Sequence, residues 1–85
     1  MEIIYQKRAE EDLEFWKMSG NKRVQKKITE LLDDIALRPF TGIGKPEPLK
    51  YQLQGAWSRR ITDEHRLVYE VLDGNIHIFS MRGHY

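Results

Sequence analysis

The chain contains no cysteine. It therefore has no disulfide staple, no thiolate nucleophile, no iron–sulfur cluster and no cysteine zinc site, and the expected compartment is a reducing cytoplasm. Long apolar runs are missing too. Nothing approaches the ~18 residues that a membrane span needs, and Met1-Glu2-Ile3-Ile4-Tyr5 lacks the basic, then apolar, layout of a signal peptide. A charge of one sign is also absent, because 14 Lys and Arg stand against 13 Asp and Glu for a net charge of +1. This is far from a strongly basic nucleic-acid binder, so any RNA or DNA role rests on local placement. Length excludes a second core: 85 residues make one domain, residues 1–85. Such a chain buries only roughly 60 to 65% of its unfolded surface, which leaves room for stabilisation by a partner chain or a second copy of itself.

What is present is the balance of a folding, globular sequence, 40% hydrophobic and 32% charged. Over residues 7–18, Ala9, Leu13 and Trp16 recur at helical spacing, and Glu10, Glu11 and Asp12 suit the positive end of a helix dipole. Gln6 is a poor cap. Ser19, Gly20 and Asn21 supply a break, with Asn suited to capping a second helix. Val24, Ile28, Leu31, Leu32 and Ile35 then give the strongest helical pattern in the chain, which Arg38 and Pro39 end. Residues 39–48 hold all three prolines and read as a stiff loop.

After that loop the period shifts toward two. Residues 57–61, 66–72 and 76–82 are rich in β-branched, aromatic and aliphatic side chains and predict an antiparallel meander, with a further strand over residues 2–5. The expected architecture is α+β, a small antiparallel sheet packed against two N-terminal helices. Taking Asp73, Gly74 and Asn75 as a three-residue loop puts Tyr69 opposite Phe79, Leu67 opposite Met81 and Arg66 opposite Arg82. Leu67, Tyr69, Val71, Phe79 and Met81 then form a core face, and Arg66, Ser80, Arg82 and His84 share the other. His77 falls on the apolar side in this register. An Asp-Gly two-residue turn would separate these sets and is disfavoured on that ground.

Several familiar chemistries fail on spacing. Gly42-Ile43-Gly44-Lys45 lacks the four intervening residues of a P-loop, and Pro46 stands where Ser or Thr is needed. A dinucleotide fingerprint would need a glycine at Glu47. His65, His77 and His84 have no second ligand at helical spacing, so metal-free chemistry and no cofactor are expected. What remains is Lys45-Pro46-Glu47-Pro48-Leu49-Lys50, a carboxylate held on an extended, proline-stiffened backbone between two lysines. Taken alone, a solvated Glu in a loop is the plainer reading. It gains meaning beside Ser58-Arg59-Arg60, Glu64-His65-Arg66 and Met81-Arg82-Gly83-His84-Tyr85. Guanidinium forks bind phosphate, and an imidazole can donate a proton near neutral pH.

These residues, with Pro39-Phe40, Trp57-Ser58-Arg59-Arg60-Ile61, Glu64-His65-Arg66-Leu67-Val68-Tyr69 and terminal His84-Tyr85, closely resemble the YoeB (Txe) toxins of the RelE/ParE superfamily. The resemblance covers essentially the whole chain. It implies a ribosome-dependent mRNA endoribonuclease, a metal-independent enzyme of a bacterial type II toxin–antitoxin system, held inactive by a YefM-type antitoxin. It also implies roles: Glu47 as general base for the 2′-hydroxyl, His84 as general acid, Arg66 stabilising the phosphate and Tyr85 positioning substrate. Lys50 and Arg60 would contact phosphates, Arg59 and Arg82 would add to that basic surface, and Glu64 would orient neighbours. Met81 departs from the family's pattern, without consequence for the chemistry. The alternative is a non-catalytic toxin of the same fold, a translation inhibitor or gyrase poison, for which the set Glu47, Arg66 and His84 would be unnecessary.

Overall fold

Helix α1 (Lys7–Ser19) starts at Gln6 without a side-chain cap, and α2 (Lys22–Leu37) starts where the Asn21 side chain accepts a hydrogen bond from the Val24 amide at 3.2 Å. Both helices lie where the apolar spacing puts them, and Asn21 satisfies one of the amides that a helix start leaves without a partner. The computed structural model describes residues 1–84. Among these, the strands are β1 (Ile3–Tyr5), β2 (Glu47–Pro48), β3 (Trp57–Arg60), β4 (Arg66–Leu72) and β5 (Asn75–Ser80), in one sheet ordered β1-β5-β4-β3-β2.

Strands β3 to β5 pair antiparallel as expected, the end of the expected 39–48 loop adds β2 antiparallel to β3, and β1 joins the far edge in parallel, with Ile3 opposite Ile76 and Tyr5 opposite Ile78. The sheet is therefore mixed. Parallel pairing needs a long return path, and the two helices between β1 and the meander provide it. One face carries Leu67, Tyr69, Ile76, Ile78 and Met81, all fully buried against Trp16, Val24, Ile28, Leu31 and Ile35 of the helices. Burying one such aliphatic side chain contributes about 1.5–3 kcal/mol, so this interface accounts for most of the driving force.

The β4–β5 hairpin corrects the expected register. Leu72 pairs with Asn75 across a two-residue turn in which Asp73 (φ 52°) and Gly74 (φ 76°) both take left-handed backbone. That geometry matches the twist of the flanking strands, which is why Asp-Gly wins over a longer loop. Tyr69 accordingly faces Ile78, not Phe79. A bulge then absorbs one residue: the next pair is Val68 with Ser80, the pairing the three-residue loop would have given. Phe79 is the inserted residue, and it leaves the main core for a small cluster with Leu49, Ala56 and Val68. His77 is likewise removed from the apolar side, and its Nδ1 lies 3.2 Å from Gln6 Nε2.

Candidate active site

The pairing registers decide which side chains share the face turned away from the helices. Glu47 pairs with Ser58, Ser58 with Val68 and Val68 with Ser80, a row across four strands. Arg60 pairs with Arg66 two residues along, on the same face because side chains alternate along a strand. From strand spacings the backbones of Glu47 and Arg66 are about 12 Å apart, a span that two long side chains can close around one phosphodiester. Leu49, Ala56, Val68 and Phe79 form an apolar floor on this face. Beside it, a groove of about 400 Å³ runs along residues 47–53 and is lined by Glu47, Lys50 and Tyr51. Glu47 and Lys50 are exposed.

Arg66 is half-buried, and its Nη1 donates to the backbone oxygens of Thr62 (2.7 Å), Asp63 (3.2 Å) and His65 (3.2 Å). The guanidinium is thus oriented by the β3–β4 turn, with only one of its nitrogens engaged in these bonds. Arg60 lies 3.6 Å from the carboxylate of Asp63 in a solvent-exposed pair that contributes little to stability. Glu64 is exposed in the same turn, so the acidic neighbour of Arg60 is Asp63 and not Glu64.

The tail leaves the ladder after Ser80, and side chains take over its hydrogen bonding. The Met81 amide donates to Asp12 Oδ2 at 2.9 Å, and the Met81 carbonyl accepts from the Trp16 indole at 2.8 Å. Arg8 donates to the Arg82 carbonyl at 3.0 Å. The Gly83 amide donates to His65 Nδ1 at 2.8 Å, and the Arg66 amide donates to the Gly83 carbonyl at 3.0 Å. Exposed His84 follows directly, so its backbone is fastened beside Arg66. Asp12 was legible only as a helix-dipole residue. Its burial and its bond to a backbone 69 residues away give it a second task. Tyr85 lies outside the described residues.

Two expected members of the basic surface stand elsewhere. Arg82 stacks on the Phe15 ring of α1, 3.6 Å from its centroid, which holds its guanidinium against the helix. Arg59 is fully buried and cannot meet a phosphate. Strand alternation turns it inward, where Nη1 donates to Asp34 and to the Ile43 carbonyl, Nη2 to the carbonyls of Arg38 and Thr41, and Nε to the Tyr69 hydroxyl. All five donors are used. The Tyr69 hydroxyl in turn donates to the Pro39 carbonyl, and Asp34 accepts from the Ile43 amide at 3.0 Å. A Cβ on Gly42 (φ 112°) would stand 2.0 Å from Asp34 Oδ2, so only glycine lets the chain pass here. The loop leading to Glu47 is thus closed upon a buried guanidinium as well as stiffened by its prolines.

Residues 5–85 match the YoeB-like toxins of bacterial type II toxin–antitoxin systems. The chain belongs to this family. The toxin YoeB of Escherichia coli strain K12 is 49% identical over 85 residues, covering 100% of both chains. Among solved structures, a YoeB/ParE toxin from Agrobacterium tumefaciens superposes with a TM-score of 0.95 at 40% identity, over 100% of each chain. A YoeB–YefM complex from Staphylococcus aureus gives 0.89 at 46% identity, covering 100% of this chain and 98% of that one. A YoeB dimer from the same organism gives 0.89 at 45%, with the same coverage. As a YoeB-like toxin, the chain shows where sequence reasoning separated adjacent arginines too weakly: Arg59 and Arg60 read alike, yet strand parity makes one a core ion and the other a surface cation.

Proposed function

We propose that this toxin is a ribosome-dependent mRNA endoribonuclease acting in the cytoplasm. The observation that supports the reading most is the shared open face of Glu47, Arg60 and Arg66, with the His84 backbone fastened beside Arg66 through Gly83. Glu47 takes the proton from a ribose 2′-hydroxyl, and the 2′-oxygen attacks the adjacent phosphorus. The bond from phosphorus to the 5′-oxygen breaks as His84 protonates that oxygen. The products are a 2′,3′-cyclic phosphate, which water can open to a 3′-phosphate, and a 5′-hydroxyl. Arg66 stabilises the charge gathering on the phosphoryl oxygens. Lys50 and Arg60 hold neighbouring phosphates, Glu64 borders the site, and Tyr85 positions the substrate. Primer extension on message in a translation extract tests this. Inhibition of translation with uncut message would instead favour a non-catalytic toxin.

Net charge +1 leaves few phosphates to be neutralised, so naked RNA is held weakly. Held in the decoding site, message is presented in one geometry, and orientation of this kind is worth up to about 7–11 kcal/mol of barrier. Cleavage of naked RNA is therefore expected to be slow and salt-sensitive, and cleavage on ribosomes faster by several decades. On naked RNA, where no ribosome has to be held together by magnesium, the slow cleavage is expected to persist when a chelator is added. Equal rates on naked and ribosome-bound message would remove the ribosome from the proposal.

By likeness to the Staphylococcus aureus complex, the partner is a YefM-type antitoxin, and by likeness to the dimer a second copy is a further one. An acidic segment with apolar anchors, folding over Arg66 and His84, would block the site. The expected result is a co-purified complex that melts higher than the free chain and leaves message uncut, activity returning once the partner is digested. A bound cognate partner that leaves cleavage untouched would contradict the arrangement.

A further inference from the structure

His65 stands at the turn before β4, where it reads as an ordinary surface histidine, but its ring is placed with unusual completeness. Its backbone is held by the turn: the amides of Ile61 (2.9 Å) and Thr62 (3.2 Å) donate to its carbonyl, and its own amide donates to the Thr62 hydroxyl at 3.2 Å. Its ring meets the Trp16 indole edge to face, with centroids 4.9 Å apart and an interplanar angle of 84°. Its Nδ1 then accepts from the Gly83 amide at 2.8 Å. A backbone amide can only donate, so Nδ1 must be unprotonated, and a neutral ring carries its proton on Nε2. The other end of that 82–83 peptide, the Arg82 carbonyl, accepts from Arg8 at 3.0 Å, and the following 83–84 peptide offers the Gly83 carbonyl to the Arg66 amide. One residue later comes His84.

We propose that His65 is a positioning residue for RNA cleavage, its Nδ1 setting the direction in which the tail delivers the His84 imidazole toward the phosphate held by Arg66. The inference rests on the reading of His84 as general acid. The tail has left the β ladder at this point, so no neighbouring strand supplies the acceptor for Gly83. Without Nδ1 the 82–83 peptide is held only through Arg8 at the Arg82 carbonyl, and its rotation at Gly83 shifts the 83–84 peptide about the single Arg66 bond, carrying the His84 side chain with it. A displacement of about 1 Å in a catalytic group can cost on the order of a hundredfold in rate.

The test compares His65→Leu, His65→Asn and His65→Gln in ribosome-dependent cleavage, alone and combined with His84→Gln. Leu keeps bulk and loses the acceptor. Asn carries an oxygen near the place of Nδ1, and Gln carries one near Nε2. The expected result is a loss of about tenfold or more in kcat for Leu, with KM within about twofold of the parent, most of the rate restored by Asn and little by Gln. Gly83 amide exchange should quicken in the Leu variant and not in Asn. In the His84→Gln background the Leu substitution should cost nothing further, since residues acting through one group are not additive. Should Leu fail to fold, Asn outperforming Gln still supports the proposal and equal rates overturn it.

Parental kcat in His65→Leu would overturn it, as would a penalty that persists undiminished alongside His84→Gln. If His84→Gln alone cleaves like the parent, the acid assignment fails and takes this inference with it. A slow His84→Gln beside a fully active His65→Leu sinks the inference only.

Discussion

Glu47→Gln, Arg66→Ala and His84→Gln are each expected to lower the proposed cleavage of ribosome-bound message by about a hundredfold or more under conditions where chemistry limits the rate. A positioned acid or base contributes on the order of 10²- to 10⁴-fold, and a group that meets developing phosphoryl charge contributes similarly. The fold should survive all three. Glu47 and His84 are exposed, and Glu47 holds β2 in place through its backbone. Arg66→Ala removes bonds to the turn carbonyls of Thr62, Asp63 and His65, which is a modest local loss in a β-hairpin whose backbone pairing remains. Near-unchanged melting temperatures with lost cleavage are the expected pattern. If all three variants cut message like the parent, the site is wrong. If they still arrest translation while message stays intact, the toxin acts by binding.

Arg59→Met is expected to be strongly destabilising, by about 3–5 kcal/mol, because it strips a buried carboxylate of its inner partner and orphans several backbone oxygens. Total stability of a small domain is only about 5–15 kcal/mol, so the variant should melt far below the parent or fail to fold at 37 °C. Urea unfolding measures it, and a loss under about 1 kcal/mol would show that the network is ornamental. The same network predicts an acid response. Hydrogen bonding from Arg38 holds the Asp34 carboxyl down at about 2 from its ordinary 3.8, with Arg59 and the Ile43 amide adding to this and burial opposing it. A carboxyl whose pKa is depressed in the folded state contributes stability that is fully present above its unfolded value. That contribution should fade as pH falls from about 4 toward 2. Melting temperatures of the parent should drop across this window and those of Asp34→Asn should drop less. Parallel curves would show that Asp34 is not the group responsible.

Much of this could be read from residue order alone, because it depends on local rules. Val24, Ile28, Leu31 and Ile35 specify a helix with one apolar stripe, and Asn21 marks its start. The absence of cysteine, the three prolines before β3 and the alternation in β4 follow the same logic. Glu47, Arg66 and His84 stand out through their residue types and their likeness to a family. Their relative placement does not, because it is set by pairing between segments far apart in the chain. Asp73 and Gly74 take a two-residue turn, and the bulge at Phe79 then reverses the consequence before the site end of the hairpin is reached. Neither event can be inferred from alternation, since a one-residue shift exchanges the two faces of a strand.

What the amino-acid order determined by itself was therefore the set of elements and the chemical types available to a site, since backbone preference, apolar period and charge are properties of short stretches. Tertiary structure decided which arginine is outside. Arg59 and Arg60 are chemically equal neighbours, and only the packing of β3 against α2, with Asp34 and the carbonyls of a 38–43 loop waiting on one side, makes the first a buried clamp and leaves the second to solvent. The tail was decided the same way. Asp12, Trp16 and His65 come from distant parts of the chain, and they reach the backbone of residues 81–83 because the packing of α1 against β5 and the β3–β4 turn bring side-chain donors and acceptors to a segment that has left its sheet.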